Sequence, residues 1–166
     1  FSFTHLLRVP RAKENNYRQP DDENVLGEKT MALGNLILDE TAQVTGLRVL
    51  STDASGTEVE VSLQTTGTIR GTAETTLWTY TTLTRPDGSM LGGGQGVMTT
   101  EDGDGISLAG HGSGQAPPPG GTINFRTMLF AYSTSGKYSD LNSIGLAGEY
   151  DLSADGTGTN RCWEWK

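Results

Sequence analysis

The sequence predicts an all-β protein: a single closed or nearly closed antiparallel up-and-down β-barrel of about eight to ten strands, with an irregular N-terminal arm. Three observations predict it. The 166 residues include 23 glycines and many threonines, the mixture expected of Gly-rich turns between Thr-rich strands. Val59, Val61 and Leu63 alternate with Glu58, Glu60, Ser62 and Gln64, the period of a half-buried strand. Turn signals recur between such runs, whereas sustained helical periodicity is absent. A long run of sequential hairpins curls and closes, because closure removes exposed edges.

Residues 1–30 differ from the rest. FSFTHLLRVP has the makings of a short strand, but RAKENNYRQPDDEN is polar, contains Pro20 and reads as a loop or arm. The barrel domain is expected over residues 31–166. VLST, DASG and TEVEVSLQTTG read as strand, turn and strand.

Three later turns predict registers. RPDG, residues 85–88, suits a type I turn with Gly88 left-handed, closing a three-residue hairpin. That places Leu83 opposite Leu91, Tyr80 opposite Gly94, Trp78 opposite Gly96 and Leu77 opposite Val97. Asp102-Gly103 reads as a two-residue turn, setting Val97 against Leu108 and Gly94 against His111. Directly opposed residues share a face, so Leu77, Leu83, Leu91, Val97, Ile106 and Leu108 are expected on one apolar face. Asp155-Gly156, read the same way, sets Tyr150 against Arg161, Gly148 against Trp163 and Leu146 against Trp165. Trp163 and Trp165 then cover the sheet, with Cys162 and Glu164 on the opposite face beside Ala147 and Glu149. Glu149 and Glu164 are expected outside, since burying two such charges together is costly. QAPPPGG, residues 115–121, is a stiff connection that no central strand accommodates. TINFRTMLFAYST follows as a long strand, and SGKYSDLNSIG as a loop with a short helical turn.

Charge and composition exclude several function classes. The net charge of -8, with no run of Lys or Arg, repels a polyanion and argues against nucleic acid. A single cysteine excludes an intrachain disulfide, and Cys162 reads as a packed small residue. No window of about 18 apolar residues is present, so no membrane span is expected. No N-terminal basic-plus-apolar signal is present either, and cytoplasm is the favoured compartment.

Few motifs carry chemistry. GGGQG, residues 92–96, lacks the Lys-Ser/Thr and the following helix of a phosphate loop. EDGDG, residues 101–105, lacks the distal Glu of a calcium loop and reads as a hairpin turn. In GHGSG, residues 110–114, the glycine spacing is not that of a nucleophile elbow. Two histidines and one cysteine argue against a zinc site, and no metal or cofactor is expected.

One constellation remains. The expected pairings align Tyr80, Gly94 and His111 across three strands, with Tyr80 and His111 flanking a glycine gap of roughly 10 Å. Trp78 and Met98 lie close on that face. Such a gap suits a small hydrophobic molecule, with His111 and Tyr80 as candidate catalytic groups for proton transfer or hydrogen bonding. The plainer alternative is aromatic packing that shields a glycine backbone. Arg126 is a further candidate: directed inward it meets a ligand carboxylate, directed outward it is an ordinary solvated residue. Tyr132, of the same parity, completes the ligand-binding set.

The run GQGVMTTEDGDGISLAGHGSG, a Pro/Gly connection, and TINFRTMLFAYSTSGKYSDLNSIGLAGEYDLSADGTG together resemble the small barrels of the allene oxide cyclase and dirigent-like superfamily. The resemblance covers roughly residues 40–166. The chain also looks like bacterial proteins that end in a similar WEWK. Family resemblance implies a barrel cavity for a hydrophobic molecule, cyclisation or coupling steered by shape, and homo-oligomers. It carries over no catalytic residue, because no active-site motif matches position by position. Two functions follow as expectations. One is a cyclase or isomerase holding a reactive conformer in a cavity of several hundred cubic ångströms, with the arm as a lid. The other is a non-catalytic module that binds a ligand or assembles with copies of itself.

Overall fold

The structure is a computed structural model and describes residues 33–165; the expected arm, residues 1–30, lies outside the described residues. Eight antiparallel strands form a closed barrel in chain order. They are β1 (Leu33–Asp53), β2 (Gly56–Ile69), β3 (Thr72–Thr84), β4 (Ser89–Thr100), β5 (Gly105–Gln115), β6 (Ile123–Tyr132), β7 (Gly145–Leu152) and β8 (Thr157–Trp165). Strand β1 closes the ring by pairing with both β2 and β8. The only helical element among the described residues is a single 3-10 turn, Ser139–Ser143, in the segment expected to hold a short helical turn.

The three Asp-Gly hairpins share one geometry. Arg85 N–H donates to the Ser89 carbonyl at 2.9 Å, and Gly88 N–H donates to the Arg85 carbonyl at 2.9 Å. Thr100 and Asp104 repeat the pattern at 3.0 Å, as do Ser153 and Thr157 at 2.8 Å. Gly88, Gly103 and Gly156 all sit at φ between 81° and 86°, the left-handed conformation that closes a three-residue loop. In the first and third turns an aspartate ties the loop down. Asp87 Oδ1 accepts from the backbone N–H and hydroxyl of Ser89 at 2.9 and 2.7 Å. Asp155 Oδ1 does the same with Thr157 at 2.9 and 2.6 Å. In the second, Asp104 has no hydroxyl to offer, and its N–H donates instead to Thr100 Oγ1 at 3.1 Å.

This geometry confirms the β3–β4 register, with Tyr80 opposite Gly94 and Trp78 opposite Gly96. It corrects the other two by one residue. Gly94 faces Gly110 and His111 faces Gly93. Gly148 faces Cys162 and Tyr150 faces Asn160. A loop of three residues rather than two moves the partner by one position, and a one-residue slip exchanges the faces of a strand. The expected single apolar face therefore divides. Ile106 and Leu108 are buried inside, whereas Leu77 and Val97 are 63% and 60% exposed outside. The C-terminal strand is inverted relative to expectation: Cys162 and Glu164 point inward and are buried, Trp165 is exposed, and Trp163 is half-buried. Cys162 is thus the packed small residue expected, and Glu149 lies outside as expected.

One end of the barrel is plugged. Tyr138 and Leu141, from the β6–β7 connection, are buried with Ile37, Leu38, Ile69, Met98 and Leu146. Asn142 holds that connection by a two-way exchange with the Ser133 backbone at 2.8 and 3.0 Å. Toward the other end, Leu63, Met90, Phe125 and Tyr150 form a second cluster, and Trp78 packs against both.

The shared turn makes a direct test possible. Gly103→Ala, at φ +86°, is expected to lower unfolding free energy by about 1 kcal/mol through left-handed strain. Gly105→Ala, where an added Cβ meets nothing within 4 Å, is expected to stay within about 0.5 kcal/mol of the parent. Urea midpoints at constant m-value measure both.

Candidate functional site: an apolar cavity floored by glycine

Alternate residues of β4 and β5 turn inward, and one stretch of each strand presents only glycines there: Gly92, Gly94 and Gly96, then Gly110, Gly112 and Gly114. An inner wall without side chains draws the opposite wall close. A Cβ on Gly96 would lie 2.7 Å from the Trp78 indole, so that ring rests on the glycine. Elsewhere the wall leaves a cavity of about 90 Å³, lined chiefly by Leu63, Trp78, Tyr80, Phe125, Leu129 and Tyr150. Its rings are ordered among themselves. Tyr150 stacks on Phe125 with centroids 6.0 Å apart and meets Tyr80 edge-on at 6.4 Å. Burial raises both phenols above their ordinary range, so they are neutral hydrogen-bonding groups. The Tyr80 and Tyr150 hydroxyls interact with each other, whereas Thr127 Oγ1 is buried without a hydrogen-bond partner among the described residues.

The structure separates the residues expected to form the site. Trp78 and Tyr80 line the cavity. Met98 is fully buried in the core cluster against which Trp78 packs, outside the cavity lining. The expected alignment of Tyr80 with His111 is corrected by the β4–β5 register: the His111 side chain lies on the outer face, its ring against Gly93, whose added Cβ would be 2.4 Å from Nδ1. Only the neighbourhood of the backbone at His111 borders the cavity. Arg126 also faces outward, 3.7 Å from Glu149, and Tyr132 is 61% exposed on the same side.

Sequence reasoning missed a buried polar cluster that lies behind the cavity wall and touches it through Thr65 and Asn160. Glu40 and Glu74 face inward from β1 and β3 and are only 2% and 5% exposed. Gly67 of β2 stands between them in register. Thr65 Oγ1 donates to Glu40 Oε1 at 2.8 Å, Asn160 Nδ2 to Glu40 Oε2 at 2.5 Å, and Thr76 Oγ1 to Glu74 Oε2 at 2.6 Å. Burial pushes the Glu40 carboxyl up, against the lowering effect of Asn160 and Thr65. It lifts Glu74 to about 7, opposed by Thr76 and reinforced by the neighbouring Glu40. Burial, and then Glu40, raise the Cys162 thiol to about 12, which rules it out as a nucleophile at neutral pH. The signal for Glu74 was present in its parity: Glu74, Thr76, Trp78 and Tyr80 occupy alternate positions of one strand. Glu164, also buried, accepts from Asn35 N–H at 3.3 Å and lies 3.8 Å from Arg70. Among the described residues no group of three or more His, Cys, Asp or Glu is placed to hold a metal ion, and no helix is long and apolar enough to cross a membrane.

No protein-family model matches the chain, and no curated protein matches its sequence. Solved structures do match. The chain is similar to a protein of unknown function from Clostridium acetobutylicum, at 15% identity and TM-score 0.68, covering 80% of this chain and 98% of that one. It is similar to a β-barrel-like protein from Acinetobacter baumannii, at 15% identity and TM-score 0.67, covering 80% and 96%. An enzyme from Penicillium herquei matches at 16% identity and TM-score 0.57, covering 80% and 96%. These likenesses establish the small β-barrel fold as a shared architecture.

The acid pair sets a pH dependence. Glu74 keeps its proton to about pH 7 in the folded protein but only to its ordinary value of 4.5 in the unfolded chain. Folding therefore takes up a proton between those values, and the stability present below pH 4.5 is lost as pH rises through 7. Glu74→Gln is expected to remove this loss. Relative to the parent, the variant gains on the order of 2 kcal/mol between pH 5 and pH 8, read from thermal or urea unfolding at each pH.

Proposed function

We propose that the barrel binds a small hydrophobic molecule in the cavity over the β4–β5 glycines. The observation that carries this reading is the combination of a wall lacking side chains with a facing cluster of ordered rings, Trp78, Tyr80, Phe125 and Tyr150, around unfilled space. A module needing only a packed core has no use for such a void, since unfilled apolar volume is destabilising. The volume of about 90 Å³ is smaller than the several hundred expected from sequence, and below the roughly 300–1,000 Å³ of pockets for drug-sized ligands. The ligand is accordingly about one ring, or a short branched chain.

The resemblance to allene oxide cyclase and dirigent-like barrels, and the likeness to a fungal enzyme, favour a reaction over storage alone. A cyclase or isomerase of this kind works by holding one conformer between Trp78 and the Tyr80–Tyr150 pair, with the two neutral phenols as hydrogen-bond donors. Tyr80 stays in this reading as the candidate catalytic group. His111, Arg126, Met98 and Tyr132 leave it, because their side chains do not reach the cavity. Assembly with copies of itself is a second reading, favoured by exposed apolar groups on the outer face such as Phe130, Tyr132 and Trp165.

Toluene, a one-ring apolar probe, is expected to raise the thermal midpoint and to be retained in native mass spectrometry. Leu63→Trp, which fills the cavity, is expected to weaken toluene at least about tenfold, equivalent to 1.4 kcal/mol. His111→Ala is expected to bind as the parent does. Equal binding in Leu63→Trp and the parent would remove the cavity as the site.

A further inference from the structure

We propose that the ligand carries a neutral acceptor oxygen, a carbonyl, and that the hydroxyls of Thr127 and Tyr80 donate to it from the cavity wall. This rests on the cavity reading above and specifies its ligand as a small ketone or aldehyde of about one ring.

The first support is an unmet hydrogen bond in the wall itself. Thr127 lines the cavity, and its Oγ1 is buried without a hydrogen-bond partner among the described residues. Buried hydroxyls are ordinarily paired, and leaving one unpaired costs stability. The other polar wall residues are engaged. Thr65 and Asn160 are turned to Glu40, and the Tyr150 hydroxyl meets Tyr80.

The second support is the placement of that hydroxyl. Thr127 of β6 stands between Gly112 of β5 and Gly148 of β7, so no neighbouring side chain covers it from either strand. Its methyl lies over Gly112, where an added Cβ would be 2.9 Å away, and its hydroxyl lies over Gly148 beside the Cys162 sulfur. Gly112 belongs to the cavity lining and Gly148 does not. A turn of about 120° about Cα–Cβ, from one staggered well to the next, brings the oxygen to the place of the methyl on the cavity side. That turn breaks no hydrogen bond, because the hydroxyl makes none among the described residues. A ligand acceptor there gains a bond at the expense of no other.

The third support is the balance of donors and acceptors. Burial raises the Tyr80 phenol, and Tyr150 opposes that rise. Burial also raises Tyr150, and Tyr80 adds to it. The hydrogen in their contact is therefore that of Tyr150, which leaves the Tyr80 hydrogen for a ligand. No Asp, Glu, Lys or Arg lines the cavity, so a charged ligand finds no countercharge. Two hydrogens to give suit an oxygen with two lone pairs. A carbonyl accepts both and brings none of its own. An alcohol carries a hydrogen into apolar surroundings, where it has only the same two hydroxyl oxygens to receive it. No covalent bond forms or breaks.

Cyclohexanone, cyclohexanol and methylcyclohexane, of similar size, separate the possibilities by titration calorimetry. The parent is expected to bind cyclohexanone more tightly than cyclohexanol. Thr127→Val keeps the shape and removes the hydroxyl. It is expected to weaken cyclohexanone at least about tenfold and to leave methylcyclohexane unchanged. Thr127→Ser, which keeps the hydroxyl, is expected to hold cyclohexanone as the parent does. The infrared carbonyl stretch of bound cyclohexanone reads the hydrogen bond directly, and is expected at lower frequency in the parent than in Thr127→Val or Tyr80→Phe. A loss of cyclohexanone in Thr127→Val no greater than that of methylcyclohexane, or an unchanged carbonyl frequency, overturns the carbonyl assignment and leaves the cavity reading standing. Tighter binding of cyclohexanol than of cyclohexanone overturns it in favour of an alcohol. Failure of all three probes to bind the parent overturns the cavity reading as well.

Discussion

The inside and outside of this barrel depend on one backbone conformation repeated three times. In RPDGS, TEDGD and SADGT the glycine lies near φ +80° and closes a three-residue loop. Each loop determines which parity of the following strand faces inward. A two-residue loop at Asp102-Gly103 would put His111 inside and bring Leu108 out, beside Val97. The observed loop instead lines β4 and β5 with glycines on the inner face. The same geometry at Asp155-Gly156 buries Cys162 and Glu164 and leaves Trp165 exposed. Everything the cavity contains follows from those registers, because side chains alternate strictly along a strand.

The interior then divides by chemistry. At the plugged end, Tyr138, Leu141, Met98 and Ile106 give a close-packed aliphatic and aromatic core, the main source of hydrophobic stabilisation. Farther along, the glycine wall admits the Trp78 ring and leaves space beside Tyr80, Phe125 and Tyr150. An inward Leu or Val in place of those glycines would bury more apolar area, but it would close the space. The buried Thr127 hydroxyl, without a hydrogen-bond partner among the described residues, marks the same region as poorly optimised for folding alone. Local departures from packing and polar satisfaction concentrate where function is expected.

The acid pair joins these two halves. Glu40 is held by Thr65 and Asn160, which are also cavity wall, and Glu74 is held by Thr76 one turn of alternation below Trp78. The acid pair and the cavity wall therefore share side chains. Burial is the dominant cause of the raised carboxyl at Glu74, with the charge of Glu40 adding to it.

Much of the fold was legible in the sequence. Alternation at Val59–Leu63 and recurring Asp-Gly turns implied sequential hairpins, and RPDG with its proline conveyed the β3–β4 pairing residue by residue, because Pro86 and Gly88 admit few turn types. The other two Asp-Gly turns did not disclose their loop length. Gly103 and Gly156 are left-handed in either a two- or a three-residue loop; only the hydrogen bonds across the loop and burial of the flanking strands select one. For that reason the pairing of Trp78 and Tyr80 with Gly96 and Gly94 was read correctly from sequence, while His111 was placed on the wrong face and Glu164 on the outside. The Glu40–Glu74 pair lay beyond sequence reasoning for a different reason. Its members are 34 positions apart (74 minus 40) and meet only across Gly67, once three strands are aligned. Local chemistry determined the elements, and closure of the ring determined which side chains share its interior.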